Sequence, residues 1–600
     1  MTLPSLSIAT LQAAYAAGET SPSKLVAAIA EAIAARGQDA VWLSLTPKET
    51  LLKRAAELEA AGPAGKPLYG IPFAVKDNID VAGLPTTAAC PAFAYTPSQS
   101  ATAVAKLEAA GAIVIGKTNL DQFATGLVGV RSPYGVAVNP FNKEYVPGGS
   151  SSGSAVAVSA GLVSFSLGTD TAGSGRVPAG FNNIVGLKPS IGLISSSGML
   201  PACRSLDCIS VFALTVADAM AVLEAARGLD TSDAYSRSAP AGFRSTVPPC
   251  PAKFRFAVPD KPQFFGDAEA EKLFHAAVAR FEAMGGEKLV IDYAPFAEAQ
   301  AMLYSPPGAA ERVTALHDFF RDHADAFHPV TRGILESGQS ASAVDLYRMQ
   351  QRLRALKQQT DPIWGEVDFM LVPTSGTIYR VAEILAEPLK LNANLGYYTN
   401  FVNYFDLSAL AVPNAMRADG LPSGVTLIAP AFFEAKLAGF GAAFHAKARL
   451  PLGATGHALP ETAAAAAPPS PSIRIAVFGA HMQGQPLNHE ILGLGGRYVA
   501  EIRTAPIYKL YRIDAGGPPR PGVLRVAEGG VALAGEIWDL PTAGFGTFVA
   551  GIPAPLGIGT VTLADATTVK GFLCEAAATV GAEDISRFAD WRAYRASLTK

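Results

Sequence analysis

The sequence is short of several things, and each shortage closes off a class of protein. Cysteine is scarce: five in 600 residues, at positions 90, 203, 208, 250 and 574. An odd count without metal-type spacing argues against a disulfide framework or a zinc site. Cys203 and Cys208 are near enough to be weighed as a ligand pair, but they read more simply as buried thiols. A reducing, cytoplasmic setting is expected. No apolar run reaches the roughly 18 residues that a membrane span needs. The opening MTLPSLSIATL has neither a basic n-region nor an apolar h-region, so no secretory signal is expected. Charge of one sign is missing too. The 48 basic and 51 acidic residues give a net of −3 with no basic block, which excludes nucleic acid as an expected partner. Histidine is rare, and the first is His275.

What the chain has in quantity is small and apolar. Hydrophobic residues make up 49% of it, and its length is too great for one core, so at least two domains are expected. The clearest seam is LPETAAAAAPPSPS, residues 459–472, an Ala/Pro/Ser stretch without hydrophobic period. The predicted division is a domain over 1–453, a linker over 454–472 and a C-terminal domain over 473–600. In the first part, GIPFAVKD, GAIVIGKT and FMLVPT read as strands. SPSKLVAAIAEAIAARG and SATAVAKLEAAG read as helices. Such alternation predicts an α/β fold with a largely buried sheet. In the tail, IRIAVFGAH, RYVAEIRTAPIYKLYRID, GVALAGEIWDLP and GIGTVTLAD are strand-like, predicting a small, mostly β, α+β domain.

GAIVIGKT formally matches a phosphate-binding loop, but that loop needs a flexible interior, and Ala-Ile-Val-Ile is a strand. The chemistry lies elsewhere. Two small-residue runs, GGSSSGSA (148–155) and GTDTAGSGR (168–176), flank an apolar segment. They read as folded backbone brought close to a ligand, with Asp170 and Arg176 holding the loop. Ser151, Ser152 and Ser154 are expected to cap a helix starting near Ala155. A hydroxyl nucleophile needs a base and an oxyanion hole. With no histidine nearby, the candidate base is Lys76, in the apolar GIPFAVKDN, where desolvation favours the neutral amine. A structural, ion-paired lysine would leave the same trace.

Three stretches carry a resemblance. GIPFAVKDNIDVAGLPTTAAC, GKTNLDQFATG and GGSSSGSAVAVSAGLVSFSLGTDTAGSGRVPAGFNNIVGLKPS, in that order, resemble the amidase signature family over about residues 1–450. The resemblance implies an α/β/α fold around a mixed sheet and a Ser-Ser-Lys triad. Lys76 would be the base, Ser150 the bridging serine and Ser174 the nucleophile. The backbone N–H groups of Thr171, Ala172, Gly173 and Ser174 would form the oxyanion hole. No metal and no cofactor are implied. Two positions depart from the family pattern: Ala172 stands for a glycine, and Gly175 for a branched residue, which predicts a looser loop around Ser174.

The tail resembles the C-terminal domain of allophanate hydrolases, itself similar to the γ-glutamyl cyclotransferase fold, through VFGAHMQGQPLN and GEIWDLP. Tyr304 and Arg312, in LYSPPGAAERVTAL, are similar to the pair with which those enzymes grip substrate, and Ser305-Pro306 marks a helix start there. The implied reaction is hydrolysis of allophanate (urea-1-carboxylate) to ammonia and carbon dioxide. The implied partner is a small anionic amide, supplied by a separate urea carboxylase or another pathway, and a homodimer is expected. His481 is the candidate catalytic residue of the tail, and Glu536 the second. The alternatives are an amidase acting on a biuret-like or malonamide-like amide, a glutamine-supplying transamidase subunit, or a tail that only binds or dimerises.

Overall fold

The computed structural model describes residues 3–240, 243–460, 472–514 and 519–598. The chain divides into two compact units, Met1–Glu461 and Thr462–Lys600. Most of the predicted linker lies outside the described residues. Its described beginning is held to the first unit: Ala454 N–H donates to the Ser159 carbonyl, and a His457 ring nitrogen lies 3.2 Å from the Leu3 carbonyl.

The first unit is built on one eleven-stranded sheet. Its strands are β1 (Trp42–Leu45), β2 (Pro72–Lys76), β3 (Ile113–Thr118), β4 (Phe165–Asp170), β5 (Val185–Lys188), β6 (Cys208–Ala213), β7 (Phe254–Pro259), β8 (Gly286–Ile291), β9 (Phe369–Pro373), β10 (Leu407–Met416) and β11 (Pro422–Pro430). The order is β1-β3-β2-β4-β6-β5-β10-β11-β9-β7-β8. The sheet is mixed: β2 runs parallel to β3 and β4, whereas β4 and β6 are antiparallel. Every residue of β2, β3, β4, β6 and β9 is buried. That two-sided burial explains why these strands read as continuous apolar runs rather than alternating ones. GAIVIGKT is accordingly a strand, and the buried Lys117 near its end pairs with Asp77 at 3.2 Å. The helix Pro22–Arg36 starts as its sequence predicts, with Ser21 accepting from Lys24 N–H and proline in the first turn.

The second unit is mostly β. Five strands are ordered β13 (Arg497–Arg503), β16 (Ala534–Pro541), β12 (Ser472–Val477), β18 (Thr568–Cys574) and β17 (Leu556–Thr562). A smaller sheet is ordered β15 (Arg520–Arg525), β14 (Tyr508–Ile513) and β19 (Glu583–Asp584). RYVAEIRTAPIYKLYRID is therefore two strands of different sheets. It breaks before Pro506, which has no N–H to give a ladder. Ile475, Tyr508, Trp538 and Trp591 lie in this unit's own core.

Candidate active site

Strands β2 and β4 lie side by side, parallel, with Val75 opposite Leu167. Both end at the same edge, where open α/β sheets place ligands. Lys76 closes β2, and Thr169 and Asp170 close β4. Lys76 Nζ donates to Ser150 Oγ at 2.8 Å and to Thr169 Oγ1 at 2.7 Å. Ser150 Oγ donates in turn to Ser174 Oγ at 2.9 Å. The three expected triad residues are thus one hydrogen-bonded chain, and all are buried. Burial pushes the Lys76 amine down to about 7, against the pull of Asp121, Asp207 and Asp170. A neutral amine in this place can accept a proton passed from Ser174 through Ser150. The sequence reading missed Thr169, because a threonine in a strand looks like any other β former.

The loop after β4 is tied down by Asp170. Its carboxylate accepts from Arg176 Nε (3.0 Å) and Nη2 (2.9 Å) and from the N–H groups of Gly173 (2.9 Å) and Gly175 (3.0 Å). Burial alone would raise this carboxyl, but the Arg176 guanidinium and the Gly175 N–H bring it below the ordinary value. This corrects the expected oxyanion set. The Gly173 N–H is engaged by Asp170, which leaves the N–H groups of Thr171, Ala172 and Ser174. Gly173 remains indispensable, with φ at +128° and no room for a Cβ against the Thr399 side chain. Ala172 has no positive φ, so alanine is accepted there without strain. The expected looseness at Gly175 is also corrected, since a Cβ there would lie 2.5 Å from Ser210 Cβ. Glycine lets β6 approach the loop closely. The serine caps are corrected as well. The helix runs Ser152–Ser159, and Ser151 at its N-cap makes no capping bond. Ser151 Oγ donates instead to the Thr169 carbonyl, and Ser154 Oγ to the Leu167 carbonyl, so both fasten the helix to β4.

Tyr304 and Arg312 lie together. The helix Pro306–Thr314 is capped by Ser305, whose Oγ accepts from Gly308 N–H at 3.4 Å. Arg312 is 1% exposed, and its Cζ sits 5.0 Å from the centre of the Tyr304 ring. Leu303 and Tyr304 pack in the same apolar cluster as Ala172 and Val177, on either side of Ser174 in the chain. Arg312 Nη1 donates weakly to Thr125 Oγ1 at 3.4 Å. Its Nε and Nη2, and the Tyr304 hydroxyl, have no partner among the described residues. Arg176, equally buried, has a carboxylate, whereas Arg312 pairs with none among the described residues. A third buried guanidinium, Arg131, donates to the carbonyls of Thr125 and Pro388, both at 2.9 Å. It follows directly after GKTNLDQFATGLVGV, and nothing in the sequence marked it.

In the second unit, His481 is half-buried, with Nε2 3.0 Å from Glu490 Oε2. Burial lowers its imidazole below the ordinary value, while Glu490 draws it up. It lines a cavity of about 630 Å³. Glu536 does not line that cavity, which corrects its candidacy. Its carboxylate is 1% exposed and accepts from Gln483 N–H (2.8 Å) and Trp538 Nε1 (3.1 Å), with Arg592 Nη1 at 3.3 Å. Those bonds make it a strut between β16 and its neighbours.

Residues 24–438 match the Amidase family, and residues 473–596 match the allophanate hydrolase C-terminal domain. The chain belongs to the amidase family. This amidase-family chain is 40% identical over 575 residues to the urea amidolyase of Lachancea kluyveri, and 39% identical over 585 residues to that of Saccharomyces cerevisiae. Those alignments take in 93% and 94% of this chain but 31% of each relative, so the chain spans about a third of the length of the curated relatives it matches. Among solved structures, selenomethionine-substituted Kluyveromyces lactis allophanate hydrolase is similar with a TM-score of 0.78 at 37% identity, covering 99% of both chains.

Proposed function

We propose that this amidase is an allophanate hydrolase. The observation that carries the reading is Arg312: a fully buried guanidinium with two donors unpartnered among the described residues, set against the ring of Tyr304, which packs in the same cluster as the Ser174 loop. Leaving such a cation unpaired is costly, and a substrate carboxylate relieves it. Ser174 attacks the terminal carbamoyl carbon as its proton passes through Ser150 to neutral Lys76. The N–H groups of Thr171, Ala172 and Ser174 hold the oxyanion. The relay then protonates departing ammonia, and water releases the acyl group. The carboxylated carbamate so formed loses carbon dioxide and ammonia, with His481 of the tail as the assisting residue. Allophanate is supplied by a urea-carboxylating activity or another pathway. A homodimer in the cytoplasm is the working assembly, and the five free cysteines accord with that compartment.

Ammonia release from allophanate, biuret, malonamide and glutamine tests the reading. Allophanate should have the highest kcat/KM. Arg312→Ala should cost allophanate about 10- to 100-fold, the worth of a charge-assisted hydrogen bond, and leave malonamide nearly unchanged. Equal losses on both would make Arg312 structural. A preference for glutamine or malonamide would favour the reading as another small-amide amidase with a non-catalytic tail.

A further inference from the structure

Two guanidiniums meet at Thr125. Arg131 Nη1 donates to its carbonyl at 2.9 Å, and Arg312 Nη1 to its Oγ1 at 3.4 Å. All three residues are buried. Arg131 Nη2 reaches the Pro388 carbonyl, and Nε has no partner among the described residues. The backbone makes room for this fork. Gly126 has φ at +148°, and a Cβ there would lie 2.7 Å from Asp121 Oδ2 and 3.1 Å from Arg131 Nη1. Burial brings the Arg131 guanidinium below its ordinary value, against the pull of Asp121, and the charge of Arg312 adds to the lowering. The acids nearby do not cancel the two cations by contact. The Asp121 carboxylate is taken up by the N–H groups of Val128 (3.1 Å), Gly129 (2.9 Å) and Arg131 itself (2.9 Å). Asp207 accepts from Thr171 Oγ1 and from the N–H groups of Ala202 and Cys203. Carbonyl dipoles solvate a guanidinium without neutralising it, so an anion that enters at Arg312 meets the field of both cations.

We propose that Arg131 is a specificity-determining residue for the first unit's reaction: a second cation that favours a carboxylate-bearing amide through its charge, while Arg312 makes the contact. The inference rests on the reading above that the substrate is an anionic amide. Both Nη atoms of Arg131 are engaged by loop carbonyls, so its influence on the substrate is through space. Little water lies between buried groups to screen such an influence. The carboxylate it favours is charged in the ground state and in the transition state alike. Arg131 therefore contributes uniform binding, which lowers KM and leaves kcat as it is.

The test uses the full chain and two probes of nearly one shape: malonamate, which bears a carboxylate, and malonamide, which bears none. Each competes for whichever amide the wild-type chain hydrolyses best, with ammonia release as the readout. Arg131→Gln removes the charge and keeps a donor for the Thr125 carbonyl. It should weaken malonamate roughly 10-fold, change malonamide less than about 2-fold, and raise KM for allophanate about as much as it weakens malonamate, with kcat nearly unchanged. Arg131→Lys keeps the charge and gives up the fork, and should retain most of the preference for malonamate. Equal weakening of both probes in Arg131→Gln, an undiminished preference for malonamate in that variant, or loss of the preference in Arg131→Lys would overturn the inference. The lysine variant decides the matter even where the glutamine variant does not fold. The reading of the substrate fails differently. A chain that prefers malonamate through Arg131 but does not hydrolyse allophanate keeps its two-cation pocket and loses allophanate as its substrate.

Discussion

At the residue scale, the controlling quantity is the charge on Lys76. A base must have its lone pair free. Burial has brought this amine down to about 7. Below that value it holds its own proton and cannot take one from Ser150, so kcat/KM should rise with pH through about 7 and level off above it. A pH–rate profile on allophanate checks this, and an acid limb near the ordinary lysine value would remove Lys76 from the role. The hydrogen bonds also make the relay one unit. Ser174→Ala, Ser150→Ala and Lys76→Ala should each lower kcat by orders of magnitude, and the double variants little further. Losses that multiply would mean that the groups act independently. Much of this was legible in the sequence, because glycine- and serine-rich runs around an apolar core are an unusual pattern. The partners were not. Thr169, Arg131 and Glu490 matter through neighbours that only the folded chain supplies, and the Gly173 N–H looked free until Asp170 was placed beside it.

At the element scale, period and composition recovered β2, β3 and β9, since their burial leaves apolar runs that survive any context. They failed at junctions. Ser151 and Ser154 suit helix caps, yet tertiary contact with β4 outbids local capping. One junction has a measurable consequence. Asp218, in the first turn of the helix Val216–Ala226, accepts from Ile8 N–H at 3.1 Å and so anchors the helix Ile8–Ala16. Its other oxygen has no partner among the described residues, and burial holds its carboxyl up to about 7. The native state keeps a proton that the unfolded chain gives up near pH 4. Stability should therefore fall as pH rises from about 4 to 7, on the order of a few kcal/mol, and level off beyond. Asp218→Asn keeps an acceptor for Ile8 and should flatten that slope, as urea midpoints at pH 5 and pH 8 would reveal. An unchanged slope would assign the pH dependence to other groups.

At the scale of the whole molecule, two units with separate cores let the two proposed steps be tested separately. His481→Ala should leave the first ammonia release at the wild-type rate and make the carboxylated carbamate linger, as rapid-quench mass spectrometry would detect. Disappearance at the wild-type rate would make the tail a structural module. The first unit's site also has a property in time. Its parts come from distant stretches of chain: Lys76 and Ser150 are 74 residues apart, Lys76 and Thr169 are 93, and Thr125 and Arg312 are 187. Contacts of such long range form late, once loop closure has been paid for by the surrounding sheet. A newly made chain with its helices in place but β2 and β4 unpaired has a serine, a lysine and no route between them. Lys76 in that state is hydrated and charged, and Ser174 is an ordinary alcohol. The nucleophile is thus silent until the sheet closes around it, so an unfinished copy does not attack the amides of its neighbours.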